Sequence, residues 1–138
     1  MLSEQFHTVF AGLTRAYGTY TIGDSSNIKV EGSAKTISES YTSHLWELHL
    51  TGKIGLGVIP INDDNKCKWG CIDVDEYNLN LEELSKKFKK KNIIVCRSKS
   101  GGAHLFIFTK NFISAKSMIT KLKDICNILN FSKYDLFP

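Results

Sequence analysis

Two aspartates spaced two residues apart end an apolar run in the middle of the chain, Trp69-Gly70-Cys71-Ile72-Asp73-Val74-Asp75. Side chains of a β-strand alternate between its two faces, so Asp73 and Asp75 would share one face while Ile72 and Val74 point into a core. Paired carboxylates repel each other, and oxygen ligands of this kind suit Mg²⁺ or Mn²⁺. The pattern predicts a divalent-cation site, with the plainer alternative that a strand simply runs into an acidic turn.

A Gly-Gly turn flanked by cations is the second candidate for chemistry, in the segment Arg97-Ser98-Lys99-Ser100-Gly101-Gly102-Ala103-His104. Glycines let backbone N–H groups approach phosphate oxygens closely, and Arg and Lys neutralise phosphate charge. Together with three carboxylates (Asp73, Asp75 and Asp135), the segment predicts a site for a nucleoside triphosphate. Each signal alone has a plainer alternative, because hairpin turns favour glycine and a hairpin histidine can be purely structural.

The hydrophobic periodicity around these residues predicts a β-α-β-β-α-β order over residues 69–137. The predicted elements are a strand at 69–75, a helix from Leu81 to Lys91, strands from Asn92 to Ser98 and from Ala103 to Thr109, a helix capped by Ser114 that runs to Leu129, and a strand from Tyr134 to Phe137. This order is the split βαβ pattern of ferredoxin-like and RRM-like domains. In its usual sheet, the first strand lies between the third and the fourth, and both helices pack on one face. His104 and Asp135 would then flank Asp73 on the other face.

Residues 1–68 predict a separate helix-loop-strand unit. Its predicted elements are a helix over residues 3–17, a long loop from Tyr20 to Thr42 with at most one short strand, a helix from Ser43 to Leu50 and a strand over residues 54–61. We therefore expect one α/β (α+β) domain over residues 1–138. In it, an N-terminal unit (1–68) precedes an RRM-like, ferredoxin-like βαββαβ catalytic core (69–138).

Length and composition indicate a soluble globular protein. The chain has 138 residues, of which 42% are hydrophobic, and it contains neither a membrane span nor a signal peptide, so we expect a cytoplasmic location without a membrane partner. Its four cysteines read as reduced thiols. Cys67 and Cys71 form half of a possible zinc site, but no second pair follows at a suitable spacing. The net charge of +4 favours a polyanionic partner, although many ordinary proteins are equally basic.

Three motifs of this chain occur together in a known family. They are residues 71–75, residues 96–106 and residues 134–138, and residues 15–20, 49–53 and 55–61 agree with them. Together they resemble the archaeo-eukaryotic primase superfamily, and more closely the bifunctional primase-polymerase domains of phages, plasmids and mobile conflict systems. The resemblance implies template-directed synthesis of nucleic acid from nucleoside triphosphates, with a DNA template and primer as partners.

The resemblance also implies roles for individual residues. Asp73 and Asp75 match the acidic motif that binds two catalytic Mg²⁺ or Mn²⁺ ions, Asp135 falls at the third metal-binding acid, and His104 matches the histidine that contacts the triphosphate. Such metals activate a 3′-hydroxyl and stabilise the departing pyrophosphate. The other residues expected beside the nucleotide are Arg97, Lys99, Ser100, Gly101, Gly102 and Lys53.

The chain departs from the family pattern at three points. Gly102 stands where many members have serine, so we expect a backbone contact or Ser100 to take the place of that hydroxyl. Asp135 stands where close relatives often have glutamate. Family members continue beyond this motif with more of the catalytic module, and often with a helicase or accessory domain. The resemblance therefore implies that this chain, which ends at Pro138, is a fragment or a minimal piece, which would hold metal and nucleotide but lack surfaces for template and primer.

Two other classes of function stay open. One is a non-catalytic module of the same fold that binds nucleotides or nucleic acid. The other is a nucleotide cyclase or a related palm-like enzyme, which would form a cyclic product from one nucleotide without a template. A plain RNA-binding RRM is disfavoured, because no segment has the aromatic-rich RNP1 pattern and acids occupy central positions of the first core strand. Both a DNA product and an RNA product are compatible with these motifs.

Overall fold

The computed structural model describes residues 1–21 and 33–138, which form two compact units, Met1–Asp63 and Asp64–Pro138. Four α-helices and two antiparallel sheets occur in these residues, which confirms the expected α+β class. The second unit begins a few residues before the predicted start of the core at Trp69. None of the helices in the described ranges is long and apolar enough to cross a membrane.

The first unit combines two helices with a three-stranded sheet, counted over its described residues. Its elements are α1 (Leu2–Val9), β1 (Tyr17–Thr21), β2 (Ser33–Ile37), α2 (Ser43–Leu50) and β3 (Gly55–Gly57). The sheet order is β2-β1-β3, and both pairings are antiparallel.

The first helix is shorter than predicted because tertiary contacts override its periodicity. We expected a helix over residues 3–17, but α1 ends at Val9. Beyond it, the N–H of Leu13 donates to the carbonyl oxygen of Ile59 at 2.9 Å. A methyl group on Gly12 would lie 2.1 Å from the same oxygen. The chain therefore leaves the helix and packs closely against another backbone segment, an approach that only glycine permits.

The short strand allowed for in the predicted loop is present, whereas the strand that follows the loop is shorter than predicted. Within the stretch from Tyr20 to Thr42, β2 forms a full strand that pairs with β1 along its whole length. Residues 22–32 of that predicted loop lie outside the described residues. The strand expected over residues 54–61 is reduced to the three residues of β3. Only Gly55, Leu56 and Gly57 of the predicted strand pair with β1, which limits β3 to these three residues.

The second unit has the predicted β-α-β-β-α-β order. Its elements are β4 (Lys66–Val74), α3 (Leu81–Phe88) with a 3-10 turn (Lys89–Lys91), β5 (Ile93–Arg97), β6 (Ala103–Ser114), α4 (Ala115–Leu129) and β7 (Tyr134–Phe137). The sheet order is β5-β6-β4-β7, so β4 lies between β6 and β7 as predicted. Both β4 and β6 are longer than predicted, because Lys66 and Cys67 pair with Ser114 and Ile113.

Both helices of this unit pack against one face of its sheet. The buried core residues are Cys67, Ile72, Val74, Phe88, Ile93, Ala103, Leu105, Met118, Leu122 and Cys126. Gly70 marks a close approach of α4 to β4, since a methyl group there would lie 2.8 Å from Met118 Cγ. Because Ile72 and Val74 are committed to this core, alternation along β4 turns Asp73 to the opposite face.

Candidate active site

Four polar side chains form a single row across the sheet, on the face opposite the helices. Asp73 on β4 lies directly opposite His104 on β6 and Asp135 on β7, and His104 lies opposite Cys96 on β5. Directly opposite residues of antiparallel strands have Cβ atoms about 4.5–5.5 Å apart. We refer to Cys96, His104, Asp73 and Asp135 as the polar row. The fold thus brings together three predicted site residues that are distant in sequence.

Asp73 is the central acid of the polar row. His104 Nε2 lies 3.2 Å from Asp73 Oδ1, and the two side chains are 36% and 30% exposed. Burial raises the pKa of Asp73 above its usual value, the neighbouring His104 lowers that pKa, and the charges of Asp75 and Asp135 raise it again. A carboxylate that is partly desolvated and close to other acids is stabilised in its charged form by a cation.

Asp75 lies one residue beyond β4, and a backbone hydrogen bond joins it to the segment that leads into β7. Its N–H donates to the carbonyl oxygen of Lys133 at 3.0 Å, which extends the contact between the two strands past Val74. Asp75 is partly buried and Asp135 is exposed. The three predicted acids therefore lie at the same end of two paired strands.

The donor atoms at this end suit a hard divalent cation. Asp73, Asp75 and Asp135 offer carboxylate oxygens, the ligands that Mg²⁺ and Mn²⁺ prefer. Over residues 1–21 and 33–138, no group of three or more His, Cys, Asp or Glu side chains is arranged to hold a metal ion. The carboxylate oxygens of the three residues thus suit Mg²⁺ or Mn²⁺ by their chemistry. Because the side chains are not yet arranged to hold an ion, ligation by all three carboxylates would require them to reorient.

The turn that precedes His104 is held by its own hydrogen bonds. The N–H of Ser98 donates to the carbonyl oxygen of Gly102 at 3.0 Å, and the N–H of Gly101 donates to that of Ser98 at 3.1 Å. Gly101 has a φ of +96°, which favours glycine. Ser98 is only 6% exposed, and its hydroxyl lies 3.2 Å from that of Ser100. Sequence reasoning missed Ser98, because only its burial distinguishes it from the serine two positions later.

Gly102 packs against the end of β4 and leaves no room for a side chain. A methyl group there would lie 2.1 Å from the carbonyl oxygen of Val74 and 3.3 Å from Ser98 Oγ. The serine found at this position in many members of the resembled family therefore does not fit this backbone. The hydroxyls that the turn does offer are those of Ser98 and Ser100.

The other predicted nucleotide-binding residues divide between the two units. Arg97 ends β5, and Lys99 and Ser100 follow in the turn; all three side chains are exposed. Lys53 belongs to the first unit, where it follows α2. The second unit therefore brings every predicted nucleotide-binding residue except Lys53 to one end of its sheet.

An apolar row lies beside the polar row on the same face of the sheet. It consists of Ile94, Phe106, Cys71 and Phe137, which lie opposite one another on β5, β6, β4 and β7. The Phe106 ring lies 6.0 Å from the His104 ring in an edge-on arrangement and 6.2 Å from the Trp69 ring. Sequence reasoning missed this row, because its members come from four strands and only their register aligns them.

The two cysteines of the zinc alternative lie in different surroundings. Cys67 is buried in the core below the helices, whereas Cys71 belongs to the apolar row. Burial raises the pKa of both thiols, that of Cys71 to about 12. Because Cys67 lies in the core and Cys71 lies in the apolar row, the two thiols do not face a common site. The zinc alternative therefore finds no support in the described residues.

The sequence was also compared with known proteins. Residues 8–138 match the sequence model of a family described as "TOTE conflict system, Archaeo-Eukaryotic Primase domain". The match covers nearly the whole chain, and it includes all four members of the polar row. No curated protein matches the chain.

Proposed function

We propose that the chain catalyses template-directed nucleotidyl transfer, because it belongs to the archaeo-eukaryotic primase domain family of TOTE conflict systems. Membership of this family indicates a primase or nucleotidyltransferase type of function. The substrates are nucleoside triphosphates together with a DNA template and primer. The triphosphate binds beside Asp73 and Asp75, between these acids and the turn that leads to His104.

The observation that carries this proposal is the strand register of the polar row. Asp73 lies between His104 on one neighbouring strand and Asp135 on the other. A basic, hydrogen-bond-donating side chain thus stands on one side of the central acid and a further acid on the other. That order suits a metal-bound triphosphate, whose phosphate oxygens need donors and whose cations need carboxylates.

The reaction requires one bond to form and one to break. The 3′-oxygen of the primer or first nucleotide bonds to the α-phosphorus, the bond from that phosphorus to pyrophosphate breaks, and the hydroxyl proton passes to solvent. Bound Mg²⁺ or Mn²⁺ would lower the pKa of the hydroxyl and stabilise the charge on pyrophosphate. Asp73, Asp75 and Asp135 would hold these ions, His104 would donate to a phosphate oxygen, and the exposed cations Arg97 and Lys99 would neutralise phosphate charge.

Calorimetric titration with a nucleoside triphosphate, with and without Mn²⁺, tests the proposal on the wild type and three variants. Asp73→Asn removes a predicted metal ligand while keeping an oxygen that can accept from His104. His104→Ala removes the predicted phosphate contact. Asp124→Asn makes the same chemical change as the first variant at an exposed position of α4, and it serves as the matched control.

We expect Mn²⁺-dependent binding in the wild type and in Asp124→Asn. In Asp73→Asn, the affinity for the triphosphate in the presence of Mn²⁺ should fall by about tenfold or more. The free energy of unfolding of this variant should stay unchanged or rise, because the substitution removes a partly buried charge near other acids. His104→Ala should weaken triphosphate binding more than binding of Mn²⁺ alone. Wild-type affinity in a folded Asp73→Asn protein would contradict the two-metal site.

The apolar row favours a second candidate, a non-catalytic module that binds nucleic acid. Ile94 and Phe137 are 53% and 47% exposed on this face, and Phe106 lies between their strands. Apolar and aromatic side chains on an RRM-like sheet can stack against bases. This candidate predicts binding of single-stranded DNA that needs no divalent metal and that Asp73→Asn leaves unchanged or strengthens. Primer extension by the wild type, lost in Asp73→Asn, would exclude it.

A further inference from the structure

Glu76 joins the chain that leaves β4 to the chain that enters β7. Its Oε1 accepts from the N–H of Ser132 at 2.7 Å and from the Ser132 hydroxyl at 2.9 Å, and the N–H of Lys133 donates to it at 3.4 Å. The carbonyl oxygen of Lys133 in turn accepts the N–H of Asp75 at 3.0 Å. Residues 75–76 and residues 132–133 are thus bonded to each other through both a side chain and the backbone.

The hydrogen bonds between Glu76 and residues 132–133 lie close in sequence to two of the three acids. Asp75 is the residue before Glu76, and Asp135 follows Lys133 by two positions in β7. The strand β7 has only four residues and lies at the edge of the sheet, and among the described residues it pairs with β4 alone. Short edge strands open easily, because few hydrogen bonds hold them. The Glu76 contact closes the end of β7 at which Asp135 lies.

We propose that Glu76 is a positioning residue, which holds Asp75 and Asp135 in fixed register so that both can act with Asp73 on one bound cation. This inference rests on the proposed function, since it assumes that the three acids share a metal site. Glu76 acts through Ser132 and Lys133, whose hydrogen bonds its Oε1 accepts. The sequence shows an acid after the Asp pair but not its partners, which lie 56 and 57 positions away.

The test compares Glu76→Ala with Glu76→Gln in the full chain. Both variants remove the same charge, but the glutamine keeps an oxygen that can accept from Ser132. Glu82→Ala is the matched control, since it removes an exposed carboxylate of α3 that bonds to Lys86 instead. Two quantities are measured: Mn²⁺ affinity, from the electron paramagnetic resonance signal of free Mn²⁺, and the hydrogen-exchange rate of the Asp75 amide relative to that of Ile72.

We expect Glu76→Ala to weaken Mn²⁺ binding by about tenfold or more, the usual cost of losing a residue that orients a metal ligand. The Asp75 amide should exchange faster in this variant while the Ile72 amide is unchanged, which shows that the rest of the sheet is intact. Glu76→Gln should recover most of both properties, and Glu82→Ala should resemble the wild type.

Three results would overturn the inference. Equal Mn²⁺ affinity in Glu76→Ala and Glu76→Gln would mean that only charge matters. Unchanged exchange at Asp75 in Glu76→Ala would mean that the contact does not hold this segment. Faster exchange with wild-type Mn²⁺ affinity would reduce the contact to a structural one. A wild type that binds no Mn²⁺ would instead refute the proposed function, and the exchange rates would still report whether Glu76 fixes the segment.

Discussion

Cys96 lies at the β5 end of the polar row, opposite His104. All four cysteines of the chain lie in the described residues, and Cys96 is the exposed one, whereas Cys67, Cys71 and Cys126 are buried. Burial raises the pKa of each of these three thiols. Because the thiolate is the reactive form, both burial and raised pKa values protect the three from reagents in solution.

We therefore expect the native protein to show one fast-reacting thiol with a chromogenic disulfide reagent, and the other three to react only on unfolding. Cys96→Ser should remove the fast phase and leave the slow one. Nucleotide with Mn²⁺ should slow the fast phase, because Cys96 lies beside His104. Fast reaction in Cys96→Ser would show that one of the buried thiols is accessible, and the measurement is the absorbance of the released thiolate over time.

Individual site residues could be predicted from the sequence where local spacing alone fixes the chemistry. Asp73 and Asp75 stand out because strand alternation makes two nearby acids share a face. Ser98 and Glu76 do not stand out, because their roles depend on burial and on partners that the fold supplies. Spacing reveals what a residue can do, whereas contacts across the fold determine what surrounds it.

Tyr41 connects the two helices of the first unit. Its hydroxyl accepts a hydrogen bond from Trp46 Nε1 on α2 and donates to the carbonyl oxygen of Phe10, just after α1, at 3.2 Å. The Phe10 ring also lies 5.2 Å from the Trp46 ring. Burial raises the pKa of Tyr41, and the bond from Trp46 partly offsets this. A residue expected in a loop is therefore part of the packing between two helices.

Tyr41→Phe should lower the free energy of unfolding at neutral pH by about 1–3 kcal/mol, because it removes two hydrogen bonds at a buried site. Above about pH 10, the unfolded wild type releases the tyrosine proton while the folded state retains it, so the wild type loses stability as the pH rises. The difference between the two proteins should therefore shrink.

Urea unfolding of both proteins at about pH 7 and about pH 10.5 measures this. Tyr77→Phe, at a residue that is 58% exposed, is the control and should change little at either pH. A difference between wild type and Tyr41→Phe that grows with pH would contradict the assigned environment of Tyr41.

Elements could be predicted where periodicity and packing agree. The stripe of Met118, Leu122 and Cys126 predicted α4, and these three side chains are its buried ones. The periodicity of the first helix continues past Val9, but the close approach of Gly12 to Ile59 ends that helix early. The sequence of β2 has almost no apolar alternation, and most of its residues are exposed. Only its pairing with β1 identifies this segment as a strand.

Charge is divided unevenly between the two units. The second unit holds fourteen of the 18 Lys and Arg residues and eight of the 14 Asp and Glu residues, a formal charge of +6, so the first unit carries −2 of the chain's +4. Part of this excess of positive charge lies on α4, which covers the face of the sheet opposite the polar row. Another part lies on Arg97 and Lys99, beside the polar row. Overall attraction to a polyanion and contact with one at the site are therefore separable.

Changing both Arg97 and Lys99 to glutamine should weaken binding of single-stranded DNA or triphosphate by about tenfold or more at moderate salt. Replacing Lys121 and Lys123, which are exposed on α4, makes the same change in net charge and should have a smaller effect. Fluorescence polarisation with a labelled oligonucleotide over a range of salt concentrations compares the two. Equal losses would show that net charge alone, rather than its position beside the site, controls binding.

The close packing at Gly102 limits how this site can change through evolution. Any side chain at this position displaces the carbonyl group of Val74, and Val74 lies between Asp73 and Asp75. A mutation in the segment that carries His104 would thus disturb the acidic segment as well, although nearly thirty residues separate the two in sequence. The two motifs are therefore not free to vary independently. A lineage that acquires serine at position 102 should carry a compensating change at the end of β4.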